Sequence, residues 1–281
     1  MALVQQEPKA IKIWTTAVKK VYLWNTIVRP TWWDMDNWTL SQTSNSLSSN
    51  WWWWVFFNTD WTKIFLSQYG NGGRVYESSL QNPYDISSMT FNKYISIQHP
   101  EDIHFSTDGT KLFVLKSDVS PYSVLRYSLS TAWDISTATQ DQTLSRTSPR
   151  DRWLYITPDG KSLYIGRVTH NSETPDVELY SLSTAWDLST AWTSTVISTT
   201  LWWMWIWFWK WWKMYFKQDE WEGVLSYYNL STPYDLSTAT LGWTKSVWAN
   251  RAWWIWFNDI WTICAMVWWW TSTNYVTKYT L

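Results

Sequence analysis

Glycine is scarce in this chain. Eight glycines and nine prolines stand among 281 residues, where ordinary usage of ~7% would supply about 20 glycines. Cysteine is nearly absent as well: Cys264 is alone, which excludes a disulfide framework and any metal cluster built from thiolates. Charge of one sign is missing. A formal net charge of −1, with 16% charged residues and no basic patch, gives no electrostatic case for nucleic acid. The N-terminal "MALVQQEPKAIK" has no apolar stretch after its charges, so no secretory signal is expected. The most hydrophobic run, "LWWMWIWFWKWWKMYF" (201–216), is interrupted by Lys210 and Lys213. It falls short of the ~20 apolar residues a spanning helix needs, and tryptophan prefers the membrane interface. No membrane insertion is expected.

What the chain has is tryptophan, 31 of them, and an internal repeat. "YSLSTAWDISTAT" (127–139), "YSLSTAWDLSTAW" (180–192) and "YNLSTPYDLSTAT" (228–240) are siblings, with "LQNPYDISSMT" (80–90) a weaker relative. Their aspartates, Asp85, Asp134, Asp187 and Asp235, recur at about fifty residues, and one further step back reaches Asp34 in "WWDMDNWTL". Five units therefore run from there to the C-terminus.

Each unit reads as four short strands. An apolar strand (55–57, 103–105, 154–156, 206–208, 255–257) leads to a tight turn, "STDGT" or "TPDGK", whose Asp-Gly pair between apolar runs is a hairpin signal. A second strand follows, then a loop that differs in every unit, a third strand ending in "YSL" or its equivalent, and a Ser/Thr-rich fourth strand after "STAWDIS". Four strands repeated five times without a helix-period segment predict an all-β, five-bladed β-propeller of four-stranded antiparallel blades over residues 32–281. The chain stops at "KYTL" without the "STAWDIS" piece, which reappears at 32–40. Residues 32–40 are thus expected to supply the outer strand of the blade formed by 251–281, closing the ring and removing a sheet edge. A two-sheet sandwich accounts for the strands but not for the recurrence. Residues 1–31 lie outside the ring, and the echo of "IWTTAVK" (13–19) in "LWNTIVR" (23–29) predicts a short hairpin ended by Pro30.

The repeat register exposes an anomaly. "FSTDGTKLF" (105–113) carries Gly109 where "FNTDWTKIF" (57–65) carries Trp61; Gly160 matches Gly109, whereas Trp261 and Trp211 or Trp212 match Trp61. A left-handed turn position costs an ordinary L-residue roughly 1–2 kcal/mol and glycine almost nothing. Overpacking adds typically 1–3 kcal/mol per site, so a dozen such intrusions exceed the ~5–15 kcal/mol by which domains are stable. Most tryptophans are therefore expected to stand where the cell places glycine, as when UGA is read as Trp for a host that inserts Gly. Trp133 and Trp186 are exceptions, because their siblings are Tyr84 and Tyr234. The competing reading takes the indoles at face value, as sugar-stacking platforms or an interfacial belt, yet they cluster in first-strand segments instead of at loop rims.

"FSTDGTKLFVL" and "ITPDGKSLYIG" resemble the "SPDG" hairpin of YVTN-type and lactonase-like β-propeller repeats. Together with "YSLSTAWDISTAT" they look like repeat proteins of tailed bacteriophage virions and environmental bacteria, over about residues 34–281. "TTAVKKVYLWNTIVRP" is similar to the lead segments of phage virion proteins once Trp24 is read as Gly. The resemblance implies an attachment segment followed by a displayed propeller, and it says little about function.

A catalytic set is not visible. The histidines His99, His104 and His170 share no ligand spacing, so neither a metal nor another cofactor is expected; His104, in a first strand, reads as a satisfied structural residue. The repeated aspartates and the turn residues Asp108 and Asp159 read as caps on backbone N–H groups. "Gly70-Asn71-Gly72-Gly73" reads as a flexible loop tip, with no helix to make it a phosphate cradle. No G-x-S-x-G elbow is present. Variable loops on a constant frame are where binding residues are presented, and the candidates there are Tyr69, Asn71, Asp118, Tyr122, His170, Glu173 and Asp219. The leading expectation is a non-enzymatic virion protein, in capsid decoration or tail, present in multiple copies. It would hold other virion proteins through residues 1–31 and contact a host-surface glycan. A lactonase-like hydrolase and a bacterial surface adhesin are the alternatives.

Overall fold

A computed structural model describes residues 22–23, 26–27, 39–43, 52–69, 72–167, 176–198, 207–209, 214–219, 224–246, 252–257, 264–268 and 275–280, with side chains over 54–69, 72–167, 176–193, 195–196 and 228–242. The strands fall into five four-stranded antiparallel sheets and one small hairpin. In the hairpin, β1 (Tyr22–Leu23) pairs with β2 (Thr26–Ile27). Both strands flank residues 24–25, so the hairpin is not the predicted pairing of 13–19 with 23–29; residues 13–19 lie outside the described residues. β3 (Thr39–Thr43) follows.

Sheet one is β4 (Trp52–Phe57), β5 (Lys63–Gln68), β6 (Arg74–Ser79) and β7 (Thr90–Ser96) in that order. Sheet two repeats it with β8 (Pro100–Phe105), β9 (Lys111–Lys116), β10 (Ser123–Leu129) and β11 (Ala138–Ser145). Sheet three is β12 (Asp151–Ile156), β13 (Ser162–Arg167), β14 (Asp176–Leu182) and β15 (Ala191–Ser198). Sheet four is β16 (Trp207–Trp209), β17 (Met214–Asp219), β18 (Val224–Leu230) and β19 (Ala239–Ser246). In sheet five, β20 (Ala252–Phe257), β21 (Cys264–Trp268) and β22 (Tyr275–Thr280) are completed by β3, with Thr277 opposite Thr43 and Thr280 opposite Thr39. The strand pairing with β22 is thus β3 at 39–43, which shares Thr39 and Leu40 with the expected 32–40; residues 32–38 lie outside the described residues.

Burial explains the strand chemistry. The second strands are buried on both faces, as in Ile64, Phe65 and Leu66, or Leu112, Phe113 and Val114, and read as continuous apolar runs. The fourth strands are outer edges rich in Ser, Thr and Gln, with Phe91, Tyr94, Trp192 and Leu241 exposed. The first strands of neighbouring sheets stand beside each other, β20 by β4, β4 by β8 and β8 by β12.

The "STAWDIS" segment works as a clamp between sheets. Asp134, Asp187 and Asp235 each accept the N–H of the serine two residues on, opening three-residue 3-10 turns at Ile135–Thr137, Leu188–Thr190 and Leu236–Thr238. Asp85 makes the same turn but takes the Ser87 hydroxyl instead, at 2.6 Å. Each turn is also gripped from the preceding sheet. Glu77 accepts from Ile135 N (3.0 Å) and Gln142 from Leu188 N (2.8 Å). The carbonyl ahead of each aspartate receives Lys63 Nζ at Trp133, Arg126 Nη1 at Trp186 and the Tyr164 hydroxyl at Tyr234. Sheets one to four are therefore stitched in sequence, and β3 of sheet five lies against the 86–88 turn of sheet one in the same way.

The anomalous slot is resolved in geometry. Gly109 and Gly160 take φ of 71° and 69°, and Trp61 takes 62°. Trp133 and Trp186 lie flat on the two glycines, so that a Cβ there would fall inside the indole. Trp61 instead packs against Tyr84 with the rings tilted and their centroids 4.5 Å apart, and the Tyr84 N–H to Trp61 O bond is 3.2 Å, against 2.9 and 2.8 Å in the glycine siblings. The aromatics at the "STAWD" slot, Tyr84, Trp133, Trp186 and Tyr234, all carry positive φ themselves (60–68°). An aromatic belongs there, and a small residue belongs beneath it.

Candidate functional site

The first strands of sheets one, two and three each open on a bulge, and β20 carries one between Ala252 and Ile255. The register slips between Trp52 and Trp54, between Pro100 and Asp102, and between Asp151 and Trp153. A bulge leaves one residue unpaired and re-aims its side chain. In sheets two and three the residues so placed are Glu101 and Arg152, and they face one another: Arg152 Nη1 lies 3.4 Å from Glu101 Oε1.

Around this pair gather the β5–β6 and β9–β10 loops and the connections that lead into β8 and β12. Arg152 Nη2 meets Asp118 Oδ1 at 2.7 Å, and its Nη1 donates to Ser117 Oγ at 2.8 Å. The Tyr69 hydroxyl donates to Asp118 Oδ2 at 2.9 Å, and the His99 ring sets its edge against Tyr69 at 4.6 Å. Asp118 N–H reaches back to the carbonyl of Pro149. Two of these residues are held in the left-handed region, Asp118 at φ 63° and His99 at 49°, a sparsely populated conformation for non-glycine residues. Gly73, buried at φ 69°, abuts the carbonyl of Ile97 and the N–H of His99 so closely that a Cβ would collide with both. The expected loop tip is in this part a wedge.

Electrostatics single out Glu101. It is 1% exposed, and burial pushes its carboxyl up to about 8 against the opposing pull of Arg152, with Asp118 adding to the rise. At neutral pH it is largely uncharged, beside an Asp118–Arg152 ion pair. Burial also raises the Tyr69 hydroxyl, and the bond to Asp118 adds to the effect. A buried carboxyl shifted in this way beside a specific charge partner is a feature of functional sites and of structural ion-pair networks alike.

A second network sits one sheet further on. Fully buried Asp151 meets Arg146 at 2.8 Å; Arg146 also meets Glu178 at 2.6 Å and the Tyr180 hydroxyl, and Arg167 bridges Glu178 and Asp176. Burial raises the Asp151 carboxyl against Arg146. Each carboxylate here has an arginine, and the network reads as a polar bolt between β11, β12 and β14.

Of the sequence candidates, the fold brings Tyr69 and Asp118 into direct contact. Tyr122 lies in the same loop as Asp118, but its carbonyl accepts from Arg146 N at 2.9 Å. Asp219 ends β17 opposite Val224, in sheet four. Asn71, His170 and Glu173 lie outside the described residues. Sequence reasoning passed over Glu101, Arg152 and Ser117, and set His99 aside as part of a connection. The available signal was the charge in "PED" and "DR" at the head of strands that are otherwise apolar. His104 needs a correction. It is buried between Phe56 and Tyr155, but its Nδ1 has no hydrogen-bond partner, so packing holds it; burial lowers its pKa to about 3. Among the described residues, no three His, Cys, Asp or Glu side chains form a group that could hold a metal ion.

No protein-family model matches the sequence, and no curated protein matches it. Solved structures do align. A candidate 6-phosphogluconolactonase from Bacteroides fragilis is 13% identical over 68% of this chain and 52% of its own, with a TM-score of 0.47. A second, from Bacteroides uniformis, is 16% identical over 67% of this chain and 52% of its own, at 0.44. The β-propeller domain of Cps50 (Swd1) from Myceliophteria thermophila is 11% identical over 85% of this chain and 99% of its own, at 0.45. The chain spans about half the length of the two Bacteroides proteins. The architecture described above rests on the strand pairings themselves.

Proposed function

We propose that the chain is a closed five-bladed β-propeller that acts as a non-enzymatic binding scaffold on a tailed-phage particle, with residues 1–31 as its attachment segment. Five sheets of one topology support the ring. So does the order of contacts, five to one, one to two, two to three and three to four, which leaves only the link between sheets four and five to complete a circle. The observation that carries the binding role is the junction of Tyr69, Asp118, Arg152 and Glu101, where the variable loops of sheets one and two meet the bulged first strands of sheets two and three. The particle location is supported by the lead segment and the repeat text. Purified particles tested by immunogold labelling and peptide mass spectrometry would check it. The protein should co-purify with intact particles, and its confinement to the lysate supernatant would overturn the location.

One observation favours a second reading, hydrolysis of a lactone such as 6-phosphogluconolactone: the raised Glu101 carboxyl beside Arg152 and Asp118 has the makings of a general acid. At 1% exposure Glu101 is out of a substrate's reach, which is why binding is preferred. Turnover of the lactone by the purified chain, abolished in Glu101→Gln, would reverse that preference.

A further inference from the structure

The rim junction keeps bonding capacity after its internal contacts are counted. Asp118 meets Arg152 at one oxygen and accepts from Tyr69 at the other, with the Glu101 carboxyl also beside it, while a carboxylate offers about four lone-pair sites. Its side chain is 29% exposed and that of Arg152 19%. Tyr69 and Tyr122 are half-buried in the same group of loops. The backbone presenting these groups is held in place: Asp118 and His99 sit at positive φ, and Gly73 wedges the His99 connection. Such pre-organisation lowers what a ligand must supply in ordering.

We infer that the surface formed by Tyr69, Asp118 and Arg152, with Tyr122 further along the Asp118 loop, binds neutral saccharide units through their hydroxyl groups. The inference rests on the binding-scaffold reading and gives it a ligand class. Three features select that class. Arg152 and Asp118 cancel, and the buried Glu101 is largely uncharged at neutral pH, so the junction offers no net charge to an ion. A sugar hydroxyl donates and accepts at once, which suits a carboxylate with lone pairs to spare beside a guanidinium. Tyrosine rings supply apolar faces with a polar tip, the usual complement of a sugar ring.

Glu101 gives the site a pH signature. The groups facing it are Arg152 from β12, Asp118 and Ser117 from the β9–β10 loop, Tyr69 from the β5–β6 loop, and its neighbour Asp102. When pH rises through about 8, Glu101 ionises and competes with Asp118 for the one guanidinium.

The test is saturation-transfer NMR on the full chain with lactose, maltotriose and N-acetylglucosamine as probes, against N-acetylneuraminic acid and trialanine. Transfer to at least one neutral sugar is expected, lost in Asp118→Ala and unchanged in Lys161→Ala, an exposed turn at the opposite end of the strands. The signal should fall several-fold as pH passes about 8, and stay level in Glu101→Gln. Should Asp118→Ala fail to fold by circular dichroism, Asp118→Asn keeps the shape and should still weaken transfer. Preference for the anionic sugar or the peptide, or transfer to none of the probes, overturns the inference. Location on particles is read independently, so either idea can fail without the other.

Discussion

Replacing Gly109 by alanine tests the packing rule that governs the "STAWD" aromatics. Two terms oppose the substitution. The residue sits at φ 71°, where a Cβ costs roughly 1–2 kcal/mol. The added carbon would also fall within the Trp133 indole, and overpacking costs typically 1–3 kcal/mol. The sum is about 2–5 kcal/mol, a large part of the ~5–15 kcal/mol available to a domain. Two other glycines separate the terms. Gly72 has φ 93° with nothing within 4 Å of a Cβ, so its alanine variant should lose only the backbone part. Gly166 has ordinary backbone, and its Cβ would meet Trp153 Cε3 at 2.8 Å, so its variant should lose only the clash. Urea unfolding followed by fluorescence gives all three, with the midpoint falling and the slope unchanged. If Gly109→Ala loses no more than Gly72→Ala, the slot accepts a side chain, and Trp61 needs no explanation. If the loss is as reckoned, a tryptophan at the same slot is a misfit, and the glycine reading of Trp61 gains its physical basis.

The intact mass of protein from its native source should fall below that of a chain with 31 tryptophans, with glycine at position 61 and aromatics kept at 133 and 186; a matching mass ends the substitution reading. Glu101 binds a proton up to about pH 8 when folded but only to about 4.5 in its ordinary state, so stability should decline as pH rises between those values. Thermal melts of Glu101→Gln should lose that decline. Asp134 is held down to about 2, chiefly by Lys93, so its contribution is present above about 3.8 and disappears as pH falls towards 2. Lys93→Met should shrink that acid-sensitive part in a pH series of melts. His104, buried neutral with its pKa lowered to about 3, should cost stability as pH falls from 6.5 towards 3. His104→Phe should remove that loss if ring packing is its role.

Much of the frame was legible because it repeats. Asp-Gly turns, alternating apolar strands and the spaced aspartates each report a local hydrogen-bond habit, and local habits survive in sequence. The Asp108 and Asp159 caps are examples, each accepting the N–H two residues on at 3.0 Å. Where the reading slipped, it slipped on register. The strand that completes sheet five begins five residues after Asp34, as β7 begins five after Asp85, and so is described at 39–43. A ten-residue echo suggested a hairpin across 13–29, whereas the described pairing joins Tyr22–Leu23 to Thr26–Ile27. The rim was the least legible part. Tyr69 and Asp118 lie 49 residues apart in sequence, and nothing local announces that they touch. Glu101 and Arg152 were hidden because a bulge moves them off the strand's alternation, which pattern reading takes as unbroken.

The contrast between clamp and rim bears on where selection can act. At the clamp, sheets one, two and three supply different donors, Lys63, Arg126 and Tyr164, to the same carbonyl position of the next sheet. The chemistry varies while the bond is kept, as expected when only cohesion is required. At the rim the reverse holds. One structural position, the bulge, carries tryptophan at 53, glutamate at 101 and arginine at 152, and the two charged members form a contact that the repeat does not reproduce. A ring needing cohesion alone would gain nothing from burying Glu101 at the cost of its ionisation, because desolvating an unmatched carboxyl works against folding. The unfavourable residue lies near two backbone positions of positive φ, His99 and Asp118, and beside the loop-to-loop contact of Tyr69 with Asp118. That coincidence is the ground on which the binding proposal rests, at the edge where sheets one, two and three meet.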